Sequence, residues 1–196
     1  MNETPLFRLI PLLLALLVAG CSRDPATPPL QGARLGGAFT LTDQDGRQVT
    51  EKQFDGKYRL IYFGFTYCPD VCPVDLQSIG KAVRQLEKTD PALAERIQPI
   101  FITVDPERDT PEVMKQYVSA FHSRLIGLTG TPQQIKEVVR KFGAWGEKED
   151  KAGATDYGVN HSRIAILFGR KGEPIAILPH EQGAEAIAAE LKRWVI

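Results

Sequence analysis

Residues Leu60 to Phe65 form an uninterrupted apolar run of strand length. A half-exposed strand would alternate polar and apolar residues, so this run predicts a strand buried on both faces. Such a strand needs a covering layer on each side, and the rest of the chain has to supply both. Amphipathic patterns for that purpose follow at regular intervals. Leu76, Ile79, Val83 and Leu86 recur at helical spacing. Ile97 to Val104 is a second apolar strand. Thr110 and Pro111 then give an N-cap and a first-turn proline to a helix with Met114, Tyr117, Val118 and Phe121 on one face. Leu125 to Leu128 is a short strand. Thr131, Pro132 and Gln134 make a cap, a first-turn proline and a capping box ahead of Ile135, Val138, Val139 and Phe142, and Gly143 ends that helix.

Two hairpins frame this alternation. Phe39 to Leu41 and the residues around Val49 flank an Asp45-Gly46 turn, and Arg163 to Phe168 and Pro174 to Leu178 flank Gly169 to Gly172. A last helix carries Ile187, Leu191 and Trp194. Strands alternating with helices predict an α/β layer fold. The chain has 196 residues, which suits one domain with a self-sufficient core. Its 24 basic and 24 acidic side chains cancel, which argues against a nucleic-acid partner. Three cysteines are too few for a disulfide-stapled scaffold, so they are expected to do chemistry.

The start of the chain reads differently. Leu9 to Ala19 is apolar apart from Pro11 and uncharged, about eleven residues and well short of the roughly 20 that span a bilayer. That length fits the apolar part of a secretory signal covering residues 1–20, although Glu3 offsets Arg8 in its positive flank. Val18-Ala19-Gly20-Cys21 resembles a bacterial lipobox, which implies lipidation at Cys21 and a membrane-anchored lipoprotein on the periplasmic side of the cell envelope. Residues 21–37 are rich in Pro, Ala and Gly without periodicity and are expected to be a tether. The folded domain is then 38–196.

Chemistry concentrates in three loops. Tyr67-Cys68-Pro69-Asp70-Val71-Cys72-Pro73 lies between the buried strand and the next helix, at the sheet edge where α/β folds place sites. A helix N-terminus favours thiolate over thiol, and two thiols so placed can form a disulfide or hold a soft metal. The second loop, Asp105 to Thr110, has charges that invite a metal. Clustered Asp, Glu and Arg more often make salt bridges and caps, so a structural role is expected, with Asp105 and Asp109 worth testing. The third is Val159 to Ser162. Of three histidines, His122 is expected on a solvated surface at a helix end and His180 in a loop without further signal. His161 alone enters a strand, where it can reach the cysteine edge.

The segments Tyr62 to Pro73, Val104 to Glu112 and Asn160-His161-Ser162 together resemble the Sco/SenC family, copper-binding proteins that help assemble the copper A centre of cytochrome c oxidase. The resemblance runs from about Phe39 to the C-terminus. It implies a thioredoxin-like fold with a central mixed sheet flanked by helices and an N-terminal β-hairpin. It also implies copper ligands at Cys68, Cys72 and His161, and a strand from Arg163 running antiparallel to the earlier ones. That direction would bring His161 to the cysteine loop. The implied partners are the copper-bearing oxidase subunit and other copper chaperones or thiol reductants, with the membrane reached through the lipid anchor. Many members have histidine at Tyr67 and aspartate at Asn160, and Asn160 removes one negative charge beside the site.

Two thiolates and one imidazole suit Cu(I), and can hold Cu(II) with an added ligand. Structural zinc ordinarily takes four protein ligands, and three are evident. The competing function is a general extracytoplasmic thiol-disulfide oxidoreductase using Cys68 and Cys72 as a redox-active pair. Such enzymes typically have C-x-x-C and a proline ahead of the facing strand, whereas residues 157–163 contain none. A peroxiredoxin would need proline and threonine where Ile61 and Phe65 stand. A Cys68–Cys72 disulfide could not ligate copper, so metallation requires prior reduction.

Overall fold

The computed structural model describes residues 27–149 and 157–196. The leader, Cys21 and the first part of the expected tether lie outside them. The apolar run becomes β3 (Tyr58–Gly64), buried along its whole length. Burying each large aliphatic or aromatic side chain contributes roughly 1.5–3 kcal/mol, so this strand anchors the core. It pairs in parallel with β4 (Ile97–Thr103), which pairs in parallel with β5 (Ile126–Thr129).

The N-terminal hairpin, β1 (Thr40–Asp43) and β2 (Gln48–Thr50), joins the β5 edge antiparallel. Its turn is held by Asp43, whose Oδ1 accepts the backbone N–H groups of Asp45 and Arg47. On the other side β8 (Ala165–Phe168) pairs antiparallel with β3, and β9 (Pro174–Ile177) completes the second hairpin. The sheet order is β2-β1-β5-β4-β3-β8-β9. This mixed sheet with helices on both faces is thioredoxin-like, as expected.

Alternation along β3 divides the core. Leu60 and Tyr62 face α1 (Val71–Thr89), α3 (Pro111–Ser119) and α5 (Ala184–Trp194), together with a short α2 (Pro91–Glu95). Ile61 and Phe63 face α4 (Pro132–Lys141) and the hairpin residues Phe39, Leu41 and Val49. The caps form as the sequence predicts. Thr110 accepts from Val113 N–H, and Thr131 and Gln134 make the reciprocal capping box.

Three features depart from expectation. Residues 28–37, expected in the tether, lie on the body: Leu30 N–H donates to the Ile175 carbonyl, and Leu30 and Leu35 pack on the core. Gly36 N–H also donates to the Lys141 carbonyl, so apolar packing and backbone bonds together dock this Pro- and Gly-rich segment. His161 does not enter the strand of Arg163, because β8 starts at Ala165. It ends a separate strand, β7 (Val159–His161), in a two-stranded ribbon with β6 (Gly146–Lys148). Finally, His122 is not solvated but 5 % exposed, accepting Arg124 N–H at Nδ1 with Glu87 3.4 Å from Nε2.

Candidate metal centre

β3 delivers the cysteine loop to the carboxyl edge of the parallel strands, and antiparallel β8 begins at that same edge, Ala165 opposite Tyr62. His161, just upstream of β8, therefore meets the cysteines. Cys72 lies in the first turn of α1 and is fully buried, while Cys68 in the loop is 9 % exposed. Cys72 N–H donates to Cys68 Sγ at 3.4 Å, and Cys72 Sγ is 3.4 Å from His161 Nε2. The three donor atoms all lie within 4.8 Å of one another.

Bonds of about 2.0–2.3 Å from imidazole and thiolate to one ion leave the donors roughly 3.3–4 Å apart. Only small adjustments separate these residues from a three-coordinate site. Two sulfurs and one imidazole nitrogen also match a soft, first-row transition metal.

The imidazole is prepared for ligation. Its Nδ1 is 3.0 Å from the Ser162 carbonyl. A carbonyl can only accept, so the proton sits on Nδ1 and the Nε2 lone pair faces the sulfurs. Burial also pushes the His161 pKa down, keeping the ring neutral. Phe65 packs edge-on against it, with centroids 5.5 Å apart.

The thiol is a correction. The helix N-terminus was expected to favour thiolate, yet burial pushes the Cys72 thiol well above its usual range. Removal from water outweighs the partial charge of one helix end. A metal cation has to displace that proton to solvent, or a base has to take it, before the sulfur can act.

Two glycines make the approach possible. A Cβ on Gly64 would stand 2.8 Å from Cys72 Sγ, and one on Gly146 would stand 2.7 Å from Val104 Cβ. The first leaves space for the sulfur. The second lets the ribbon carrying His161 lie against the loop after β4. Ser162 fastens that ribbon, donating its N–H to the Trp145 carbonyl and accepting Trp145 N–H at Oγ.

The acidic loop is structural, as expected. Buried Asp109 accepts the N–H and Oγ1–H of Thr66 at 3.0 and 2.6 Å and the Thr103 hydroxyl at 2.5 Å, tying the cysteine loop to the end of β4. Asp105 binds Arg108 Nε at 2.5 Å and accepts from Tyr157 Oη at 2.8 Å, and the Arg108 guanidinium lies 3.7 Å from the Tyr157 ring centroid. Asp109→Ala would leave buried donors without an acceptor, at roughly 1–3 kcal/mol for each such group. We expect the variant to lose about 2–4 kcal/mol, read as a lowered urea midpoint with an unchanged slope.

Tyr67 is exposed with its ring 4.7 Å from the Arg108 guanidinium, and Asn160 is exposed opposite Glu147. Neither joins the donor cluster. Sequence reasoning missed His180. It is 6 % exposed, its ring packs on Tyr62, and its Nε2 lies 3.6 Å from buried Asp75. No local pattern announces a contact between residues so far apart.

The chain matches the family model described as SCO1/SenC over residues 27–196. It is 39 % identical over 166 residues to Protein SCO2, mitochondrial, of Saccharomyces cerevisiae, covering 82 % of this chain and 54 % of that one. It is 42 % identical to the mitochondrial SCO2 homolog of Bos taurus, covering 85 % and 62 %. The chain thus spans little more than half the length of these curated relatives. Among solved structures it resembles Bradyrhizobium japonicum ScoI with copper bound, at 41 % identity and TM-score 0.73, covering 82 % of this chain and 99 % of that one. Yeast Sco1 with copper bound gives 35 % identity and TM-score 0.75, covering 82 % and 88 %.

These relatives correct one expectation. The Saccharomyces cerevisiae and Bos taurus relatives are mitochondrial proteins, which overturns placement as a lipoprotein on the periplasmic side of a cell envelope. That placement rested on residues 9–21, whose apolar run is too short and generic to specify a compartment. No helix of the described residues is long and apolar enough to cross a membrane.

Proposed function

The chain belongs to the SCO1/SenC family, and from that premise we propose that it is a copper metallochaperone supporting assembly of the copper A centre of cytochrome c oxidase. The observation that carries this reading is the convergence of Cys68, Cys72 and His161, three donors within 4.8 Å. The copper-bound relatives from Bradyrhizobium japonicum and yeast support copper as the cargo. The folded domain holds copper through these three residues and passes it to the copper-bearing oxidase subunit.

A site with three protein donors leaves one position open. A receiving ligand can enter there before the donor bonds break, which favours handover over permanent storage. Cys68, the more exposed thiol, is the first contact for a partner, and buried Cys72 with His161 retains the ion until exchange.

The second reading is thiol-disulfide exchange, favoured by the Cys72 N–H to Cys68 Sγ contact that brings the sulfurs together. The Cys68 thiolate attacks a partner's disulfide and expels one partner thiolate. The Cys72 thiolate then attacks Cys68 Sγ of the mixed disulfide and expels the second. The partner is reduced, and Cys68–Cys72 is oxidised by the same two electrons. Copper and the disulfide exclude one another, so the two roles alternate.

Copper titration of the reduced protein, with zinc as competitor, tests the main reading. We expect one copper per chain, retained against equimolar zinc. His161→Ala should weaken binding and change the Cu(II) spectrum. His122→Ala should lower thermal stability and leave the spectrum unchanged. A Cu(II) spectrum insensitive to His161→Ala would refute the ligand assignment.

A further inference from the structure

Buried Asp75, one turn along α1 from Cys72, is the centre of a polar cluster. Arg163 grips it with two bonds, Nε to Oδ2 at 2.6 Å and Nη2 to Oδ1 at 2.5 Å. Tyr62 Oη donates to Oδ2 at 2.8 Å. Asp75 is fully buried within a helix, and two parallel bonds of an Arg fork fix direction as well as distance.

Its place in the chain is informative. Asp75 follows Cys72 by three residues, so both project from one face of α1. Arg163 follows His161 by two. The start of α1 and segment 159–164 therefore meet through two adjacent polar links among the described residues: Cys72 with His161, and Asp75 with Arg163. One rung carries metal donors, and the other carries none.

The donor rung needs support from elsewhere. His161 ends a three-residue strand of a two-stranded ribbon, and β6 is exposed throughout. Two-stranded hairpins are marginal in water even when longer than this. Metal bonds nevertheless tolerate only about 0.2 Å of misplacement. Cys72 is fixed by a 19-residue helix, so the uncertain coordinate is the ribbon's distance from that helix.

We propose that the Asp75–Arg163 pair is a positioning clamp that sets the His161-to-Cys72 spacing before metal arrives. The proposal rests on reading the triad as a metal site. Asp75 and Arg163 donate nothing to the ion. They lower the ordering cost of ligation, as preorganising contacts do.

The test is a double-mutant cycle in the reduced full-length protein. Copper affinity is measured by competition with a chromophoric chelator for Asp75→Asn and Arg163→Lys, each with and without His161→Ala. Removing partners that orient metal ligands costs about 10–100-fold in affinity. We expect each clamp variant to lose at least about tenfold when His161 is present, and less than about twofold when it is alanine. A metal-free readout accompanies it: in ¹⁵N-histidine spectra of the apo protein, the His161 ring signals should shift and broaden in both variants.

Losing the carboxylate from a buried pair is strongly destabilising, so Asp75→Asn alone is a weak probe. Arg163→Lys keeps the charge at a partly exposed position while removing the fork, and it decides the matter if Asp75→Asn fails to fold. Equal losses in both backgrounds would mean action on the thiols through Tyr62, and would overturn the proposal. Unchanged affinity and unchanged His161 signals in folded variants would overturn it too. Failure of the parent protein to bind copper would instead overturn the metal-site reading itself.

Discussion

Cys72→Ser is expected to weaken copper binding by at least about a hundredfold. Four-donor structural metal sites bind with about 10–16 kcal/mol, so one donor carries on the order of 3 kcal/mol, or roughly a hundredfold in affinity. A thiolate should exceed that share for a soft ion, and a serine hydroxyl does not ionise to replace it. Cys72 is fully buried beside Gly64, so serine fits without a clash and the fold should survive. Chelator competition checks affinity, and cooperative thermal unfolding checks the fold. Affinity within threefold of the parent would show that Cys72 is not a ligand.

The same residue predicts a pH dependence. Burial raises the Cys72 thiol, so the sulfur is protonated across the neutral range. Copper must displace that proton, and apparent affinity should rise with pH by about tenfold per unit for this one group. Cys72→Ser should remove that contribution from the slope.

The second large effect separates metallochaperone from reductase. Both functions need Cys68 and Cys72, so cysteine variants cannot distinguish them. His161 can, because thiol exchange depends on thiolate availability and access, with no need for a third donor. We expect His161→Ala to retain most thiol-disulfide exchange in vitro and to fail in supporting cytochrome c oxidase assembly when copper is scarce. Added copper should partly restore oxidase activity, since mass action compensates for weaker binding. The measurement is oxidase activity across a copper series, set beside the exchange rate of the purified protein. Normal oxidase activity at low copper would make the histidine dispensable and transfer the function to the reductase reading.

Much of the architecture is written locally. The apolar run at β3 needs no partner to be recognised, because continuous hydrophobicity over strand length implies burial on both faces. Thr110 and Thr131 act on N–H groups three residues away, so their caps are visible in a short window. The cysteine pair is local for the same reason. Its spacing and its position between strand and helix mark a site before any fold is known.

His161 is different. Its sequence neighbourhood identifies a histidine near a strand, and its assignment to the cysteines came from family resemblance together with an antiparallel β8. The ribbon that carries it was not legible, since three-residue strands with an exposed partner leave no hydrophobic period to detect. The burial of His122 and of His180 was hidden for a related reason. Each is buried against groups remote in the chain, Glu87 for one, Tyr62 and Asp75 for the other.

The sequence by itself determined the order of the seven strands of the main sheet and of the four longer helices, the caps of α3 and α4, the two hairpins and the thiol pair, because these depend on periodicity and on contacts within a few residues. Only the tertiary structure decided the burial that raises the Cys72 thiol, the Nδ1–H tautomer that aims His161 at it, and the Asp75–Arg163 clamp beside them. Desolvation and ion pairing act through space and grow as water is excluded, so they exist only once β3, α1 and the 159–164 segment have closed around one another.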